Sequence, residues 1–304
     1  MGAVSDLVAR LKERAERGHP SGLALVVGLY RRVKDAEIAL SAAAVAYNAF
    51  LALVPLTLAL LGFASLIGSD QQAVDGVRES LQAIAPQTVT DFVVQLMADA
   101  NQQVGGNEVW LIVGSVAVAL FLGSRAVAAL QRALAAVEDE TERRRALEMR
   151  LVAIGLTIGA GIALLAAGFL LVLGRRTAAF LAEWTGIAFL DTLWVWLRVP
   201  VAAVGVFAFL LAFYQWGPPE PLQKSWLAAG VATVMALLAS LGFGLYLATA
   251  PSLGATFGTI GAVAIAQVWL FLAAFSVLLG AVVVEYVVRW SDGQRTPASG
   301  WSAE

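Results

Sequence analysis

The 304-residue chain has no cysteine and a single histidine, His19, which stands beside Pro20 in a polar approach segment. Without cysteine there is no disulfide, no thiol nucleophile and no thiolate ligand, and one imidazole cannot build the His/Cys clusters that hold zinc or iron. Charge is scarce as well: Asp, Glu, Lys and Arg make up 14% of the chain, against about 25% in soluble domains. No carboxylates cluster at membrane depth, and neither a nucleophile–base pair nor a phosphate-cradling glycine loop is present, so an enzyme is not expected. No cofactor or metal is expected either, and nothing points to nucleic acid. The leading "MGAVSDLVARLKERAER" mixes charge throughout and lacks the apolar run of a signal peptide. Asp6 occupies the position that a myristoylation motif reserves for Ser or Thr.

Hydrophobic residues are abundant, at 60%, with a mean hydropathy of +0.78. That composition belongs to a polytopic membrane protein. Crossing a hydrocarbon core of ~30 Å takes about 20 apolar residues in a helix, and six segments qualify: 38–67, 108–130, 150–174, 192–216, 224–248 and 258–288. The expected architecture is therefore all-α, with the six transmembrane helices inside a domain over 36–290. Placing the N-terminus in the cytoplasm puts fifteen Lys and Arg inside and only Arg78, Arg175 and Arg176 outside, so both termini are expected to be cytoplasmic. Residues 1–35 carry Val4, Leu7, Val8 and Leu11 at helical spacing, then the short apolar run of "SGLALVVGLYRRVK", and read as helices lying in the cytoplasmic interface. The outer loop over 68–107 carries two amphipathic stripes separated at Pro86, which predicts a helical hairpin capping the outer face. The tail over 291–304, "SDGQRTPASGWSAE", reads as disordered.

Polar side chains at membrane depth are the functional candidates, since each costs a few kcal/mol unless it is paired or snorkels. They are Asn48, Arg125, Arg198, Gln215, Gln267 and Glu285. Arg125, late in the second span, suits a phosphate or other anion, with Glu285 as its natural protein partner; snorkelling is the plainer alternative. Arg198 lies near Trp194 and Trp196, where snorkelling to outer headgroups is the leading account and substrate contact the second. Small residues at Gly155, Gly159 and Gly161, and at Gly254, Gly258 and Gly261, permit close helix packing and self-association into a homo-oligomer. The stretch "GATFGTIGAV" also suits a discontinuous helix.

The block "AAAVAYNAFLALVPLTLALLGF" over 42–63 is polar only at Tyr47, Asn48 and Thr57, and holds Pro55 within its apolar run. A proline inside a helix leaves the carbonyl four residues earlier, that of Leu51, without its donor. Such a defect persists where a neighbouring helix, a side chain or water satisfies it. The Tyr47, Asn48 and Pro55 side of this helix is therefore expected to line the bundle.

That block, together with "GSRAVAALQRAL", the Trp-Gly-Pro-Pro at 216–219 and "LYLATAPSLGATFGTIGAVAIAQVWLFLAAFSVLLGA", resembles the YihY/BrkB family of bacterial inner-membrane proteins over roughly residues 25–290. The resemblance implies six helices with cytoplasmic termini in the inner membrane. It also implies a link to envelope integrity and to movement of lipids or lipopolysaccharide precursors; an older ribonuclease label is regarded as a misassignment. The sequence departs from the family pattern at Asn48, where a second aromatic is usual, at Phe257, and at Val282, where an acidic residue often stands, with Glu285 one turn later.

The leading expectation is a transporter that moves or hands over a phospholipid or other amphipathic anion. Its candidate binding residues are Arg125, Arg198, Asn48, Tyr47, Glu285 and Gln267, with Pro55 as a helix kink and membrane lipids as partners. The alternatives are a small-solute or ion channel lined by Asn48, Gln215 and Gln267, and an envelope scaffold that docks an extracytoplasmic protein through 68–107.

Overall fold

The computed structural model describes residues 37–66, 70–103, 109–137, 148–162, 189–218, 222, 224–249 and 252–291. Among the described residues every regular element is a helix: α1 (Ile38–Leu66), α2 (Asp70–Gln82), α3 (Gln87–Gln103), α4 (Val109–Val137), α5 (148–162), α6 (Phe189–Trp216), α7 (Ser225–Thr249) and α8 (Ser252–Ser291). Five of them are long and apolar enough to cross a membrane, over Ile38–Ala59, Val113–Ala135, Val199–Trp216, Ser225–Thr249 and Ile260–Val288. The chain is an all-α, multi-pass membrane protein. The remaining expected span begins in α5 and continues beyond the described residues, which also exclude the N-terminal helices expected over 1–35, the tail, Arg175 and Arg176.

Glu37 turns the chain into α1 with a left-handed φ of 46°, and its carbonyl accepts the first helical bond, from the Ser41 amide at 3.0 Å. The helix then runs through Pro55 without ending. Its inward ridge is Ile38, Ala42, Val45, Ala46 and Ala52, all buried, and this run of small side chains lets α4 close against it with Ala126, Ala129, Leu130 and Ala133. Opposite lie Leu40, Tyr47, Leu51 and Val54, which are exposed. The expectation that Tyr47 faces the bundle is thereby corrected: Tyr47 is 58% exposed, and Asn48 and Pro55 flank it at the edge of the outward face. A closely packed alanine ridge has no room for a phenol, whereas an amphipathic ring is accommodated at the lipid-facing side.

The main core gathers one end of every long helix: Ile38 and Val45 of α1, Leu134 of α4, Phe213 and Tyr214 of α6, Ala228 and Ala232 of α7, and Leu278 and Val282 of α8. This shared cluster requires successive spans to run antiparallel. We call this the basic end, because Arg132, Arg150 and Lys224 belong to the helix ends that meet there.

At the other end sits the helical hairpin. Two amides, of Ile84 and Ala85, bond to the Leu81 carbonyl and close α2; the Pro86 carbonyl then accepts from the Val89 and Thr90 amides and opens α3. The break falls at Pro86, as the pattern of apolar residues predicts. The hairpin does not merely cover the bundle. Phe92 and Val93 of α3 insert between Phe50 and Leu53 of α1 and Ala262, Val263 and Ala266 of α8, with the Phe50 and Phe92 rings stacked 6.3 Å apart.

Helix α8 is continuous for 40 residues, about 60 Å at 1.5 Å per residue, and so extends past the apolar core. The discontinuous-helix reading of "GATFGTIGAV" falls, because that stretch is helical throughout. Gly280 of α8 serves packing: a Cβ there would lie 2.7 Å from the Ala232 Cβ and 2.9 Å from its backbone. By contrast, Gly155, Gly159 and Gly161 of α5 have nothing within 4 Å of their missing Cβ atoms.

Gly280 and the α5 glycines predict opposite outcomes. Gly280→Val should force α7 and α8 apart at a cost of about 1–3 kcal/mol and lower the midpoint of thermal unfolding in detergent, whereas Gly155→Val should leave it nearly unchanged.

Candidate functional site

The most unusual chemistry of the described residues lies on the outward face of α4. Phe121, Arg125 and Arg132 recur at helical spacing and are all exposed. Across from them Arg150 of α5 brings its guanidinium carbon to 5.8 Å from the centre of the Phe121 ring, and Arg125 approaches the same ring at 5.8 Å. Each is within reach of a cation–π contact. Gly123 also meets α5: a Cβ there would lie 2.8 Å from the Thr157 methyl group, so a larger residue would force that side chain aside. Leu151, Ile158 and Ile162 of α5 are exposed.

The expected span ended at residue 130, but α4 continues to Val137 and its apolar window covers Val113–Ala135. Arg125 therefore sits ten residues from the basic end of that window, about 15 Å along the helix, close to its middle. Two guanidinium groups sharing one ring in a low-dielectric setting repel each other, and an anion beside them relieves that repulsion. Arginine offers such an anion bidentate hydrogen bonds.

The other expected site residues lie on α1, α6 and α8. Asn48 is half-buried on α1 and its Nδ2 donates to the Ala44 carbonyl of its own helix at 2.8 Å. Gln215 is exposed at the basic end of α6, while the half-buried Gln267 lies toward the opposite end of α8, so the two amides do not lie at one depth. Glu285 is half-buried one turn before Val288 in α8. Arg198 belongs to α6, two residues before Pro200, and its side chain lies outside the described set.

Three residues that matter were not picked out from the sequence. Gln131 is fully buried; its Nε2 donates to the Gly217 carbonyl at 2.9 Å, and its Oε1 has no partner. Tyr214, also fully buried, donates its hydroxyl to the Val277 carbonyl at 2.6 Å and thereby ties α6 to α8. Arg150 counted in the sequence only as a charge at a cytoplasmic helix end. No register signal marked Gln131: it stands two residues from both Ala129 and Ala133, which at about 100° per residue puts it on the other side of α4 from the alanine ridge.

A bundle of apolar antiparallel helices with an inserted hairpin, and with arginines exposed on α4 and α5, defines a multi-pass integral membrane protein. The chain matches the family described as "Virulence factor BrkB" over residues 29–303, and it belongs to that family. It is 26% identical over 245 residues to the ribonuclease-like protein YfkH of Bacillus subtilis, covering 79% of this chain and 86% of that one. It is 24% identical over 289 residues to a UPF0761 membrane protein of Delftia acidovorans, covering 91% of this chain and 65% of the relative's length. No solved structure matches. The family is not a known enzyme family, although one relative carries a ribonuclease-like name.

The buried polar contacts set a graded expectation. Tyr214→Phe loses one hydrogen bond to a helix carbonyl and should cost about 0.5–1.5 kcal/mol, whereas Tyr214→Ala opens a void in the main core and should cost about 3–5 kcal/mol. Thermal unfolding of the purified variants in one detergent measures the difference.

Proposed function

We propose that this protein moves or hands over a phospholipid or another amphipathic anion across the bacterial inner membrane, using the outward face of α4 as the headgroup path. The observation that carries this reading is the position of Arg125, exposed near the middle of an apolar span, with Arg150 over the same Phe121 ring and Arg132 nearer the basic end.

A guanidinium at the centre of a helix costs about 2.5–3.5 kcal/mol on insertion scales, and bilayers respond by drawing water and headgroups toward it. An arginine on a lipid-facing surface thus lowers the barrier that a lipid phosphate meets on entering hydrocarbon. Arg132 and Arg150 extend that favourable potential from the surface toward Arg125. Family membership supports a membrane role, and the resemblance to proteins linked with the cell envelope agrees with lipid as the cargo. Under this reading the termini are cytoplasmic, the hairpin faces outward, and the chain has no catalytic centre. The channel alternative finds less support, because Asn48 is satisfied within its own helix and Gln215 and Gln267 are separated in depth.

Reconstitution of the full chain into vesicles with a headgroup-labelled anionic phospholipid tests this. The wild type should equilibrate the label between leaflets, and Arg125→Leu should slow this by about tenfold, equivalent to ~1.4 kcal/mol of lost stabilisation of the crossing headgroup. Absence of lipid movement in the wild type, or an unchanged rate in Arg125→Leu, overturns the proposal.

A further inference from the structure

Beneath the hairpin lies a cavity of about 70 Å³ between α1, α2, α3 and α8. Its walls include Leu53 and Leu56 of α1, Leu81 of α2, Val93 of α3, and Trp269 and Leu270 of α8. Two polar groups border it and neither is free. The Thr57 hydroxyl donates to the Val54 carbonyl at 2.7 Å, and the Trp269 indole N–H donates to the Ser240 hydroxyl at 3.0 Å.

We infer that this cavity binds the hydrocarbon chain of a membrane lipid. Three observations lead there. The first is volume: a space of about 70 Å³ exceeds the ~10–15 Å³ that one water needs, but water also needs two to four polar partners, and apolar cavities of this kind stay dry. The second is depth: Leu53 and Leu56 belong to the Ile38–Ala59 span and Trp269 and Leu270 to the Ile260–Val288 span, so the surrounding medium is acyl chain. The third is access. Leu53, Leu56, Leu81, Trp269 and Leu270 are each partly exposed, which gives the cavity a mouth toward that medium. An empty apolar void forfeits dispersion contacts on every wall, and a flexible chain already at the mouth is the filler that costs no desolvation of polar groups.

The inserted hairpin is what creates the site. Helices α1 and α8 pack against each other, but the stacked Phe50 and Phe92 rings hold α3 in a wedge between them, and the arms of α2 and α3 roof the gap that this wedge leaves. Pro86 at the turn reaches α7, where its Cβ would come within 3.9 Å of a Cβ placed on Gly244.

This inference deepens the lipid reading, yet its test does not depend on transport. The full-length protein is reconstituted in phosphatidylcholine whose acyl chains carry bromine, and the emission of Trp269 is obtained as the difference between the wild type and Trp269→Phe. Bromine on the chains should quench Trp269, and aqueous iodide should not. Filling the cavity from two separate walls, by Leu53→Phe and by Val93→Phe, should reduce the bromine quenching of Trp269 by about half, as expected when a ligand that buries most of its surface in a site is displaced. Quenching of the remaining tryptophans, unchanged in either filled variant, reports that the variant is folded. Quenching of Trp269 by iodide, no quenching by bromine, or undiminished quenching in a folded filled variant each overturns the site. Bromine quenching that responds to filling, in a protein that moves no lipid between leaflets, leaves the site standing and removes the transport reading.

Discussion

Hydrocarbon offers a polar group no hydrogen-bond partner, and most of this structure follows from that. Every spanning segment is a helix because only a helix satisfies its backbone within one segment. The same demand governs side chains. Asn48, Thr57, Thr157, Thr233 and Ser276 each bond to a carbonyl three or four residues back in their own helix, so they cross the bilayer without needing a neighbour. Bonds that do join helices therefore carry positional information. Tyr214 to Val277 sets α6 against α8, Gln131 to Gly217 holds α4 to the end of α6, and Trp269 to Ser240 links α8 with α7.

Since lipid is as apolar as leucine, sequestering large hydrophobic side chains gains little, and close approach of backbones has to supply the packing. Alanine and glycine do this along the α1–α4 and α7–α8 contacts, where Ala42, Ala129, Ala133, Ala232 and Gly280 sit at the points of nearest approach. The large aliphatic residues are displaced outward. Leu238, Leu241 and Leu245 form such an exposed stripe on α7, an arrangement that would be a liability in water and is the normal surface of a protein in lipid. Large side chains fill the interior at two places, the main core with Phe213, Tyr214 and Leu278, and the inserted hairpin with Phe92, where a wedge between α1 and α8 has to be filled by volume.

The two candidate lipid contacts sit in different parts of this scheme. Arginines of α4 and α5 lie on the outward surface, where Gly123 meets α5 and Phe121 gives both guanidinium groups a shared apolar-compatible contact. The cavity under the hairpin lies toward the other end and is bounded by side chains with no polar group to spare. One suits a phosphate and the other a chain. A phospholipid carries both chemistries, which is why the lipid reading accommodates the two features together.

Composition and pattern alone determined that the chain crosses a membrane in helices, where most of those helices begin and end, and that a hairpin breaks at Pro86. Apolar run length and turn chemistry are local properties, and hydrocarbon thickness converts them directly into elements. The residues that resemble the family were legible for the same reason. Which face of each helix turns inward was decided only by the tertiary structure. On α1 the polar Tyr47 marked the expected inner side, yet the alanine ridge opposite won, since close backbone contact outweighs the placement of one amphipathic ring. The pairing of Arg125 with Arg150 over Phe121, and the cavity beneath the hairpin, join residues far apart in the chain. Their existence depends on how α4 meets α5 and how α3 wedges between α1 and α8, and no property of a single segment carries that information.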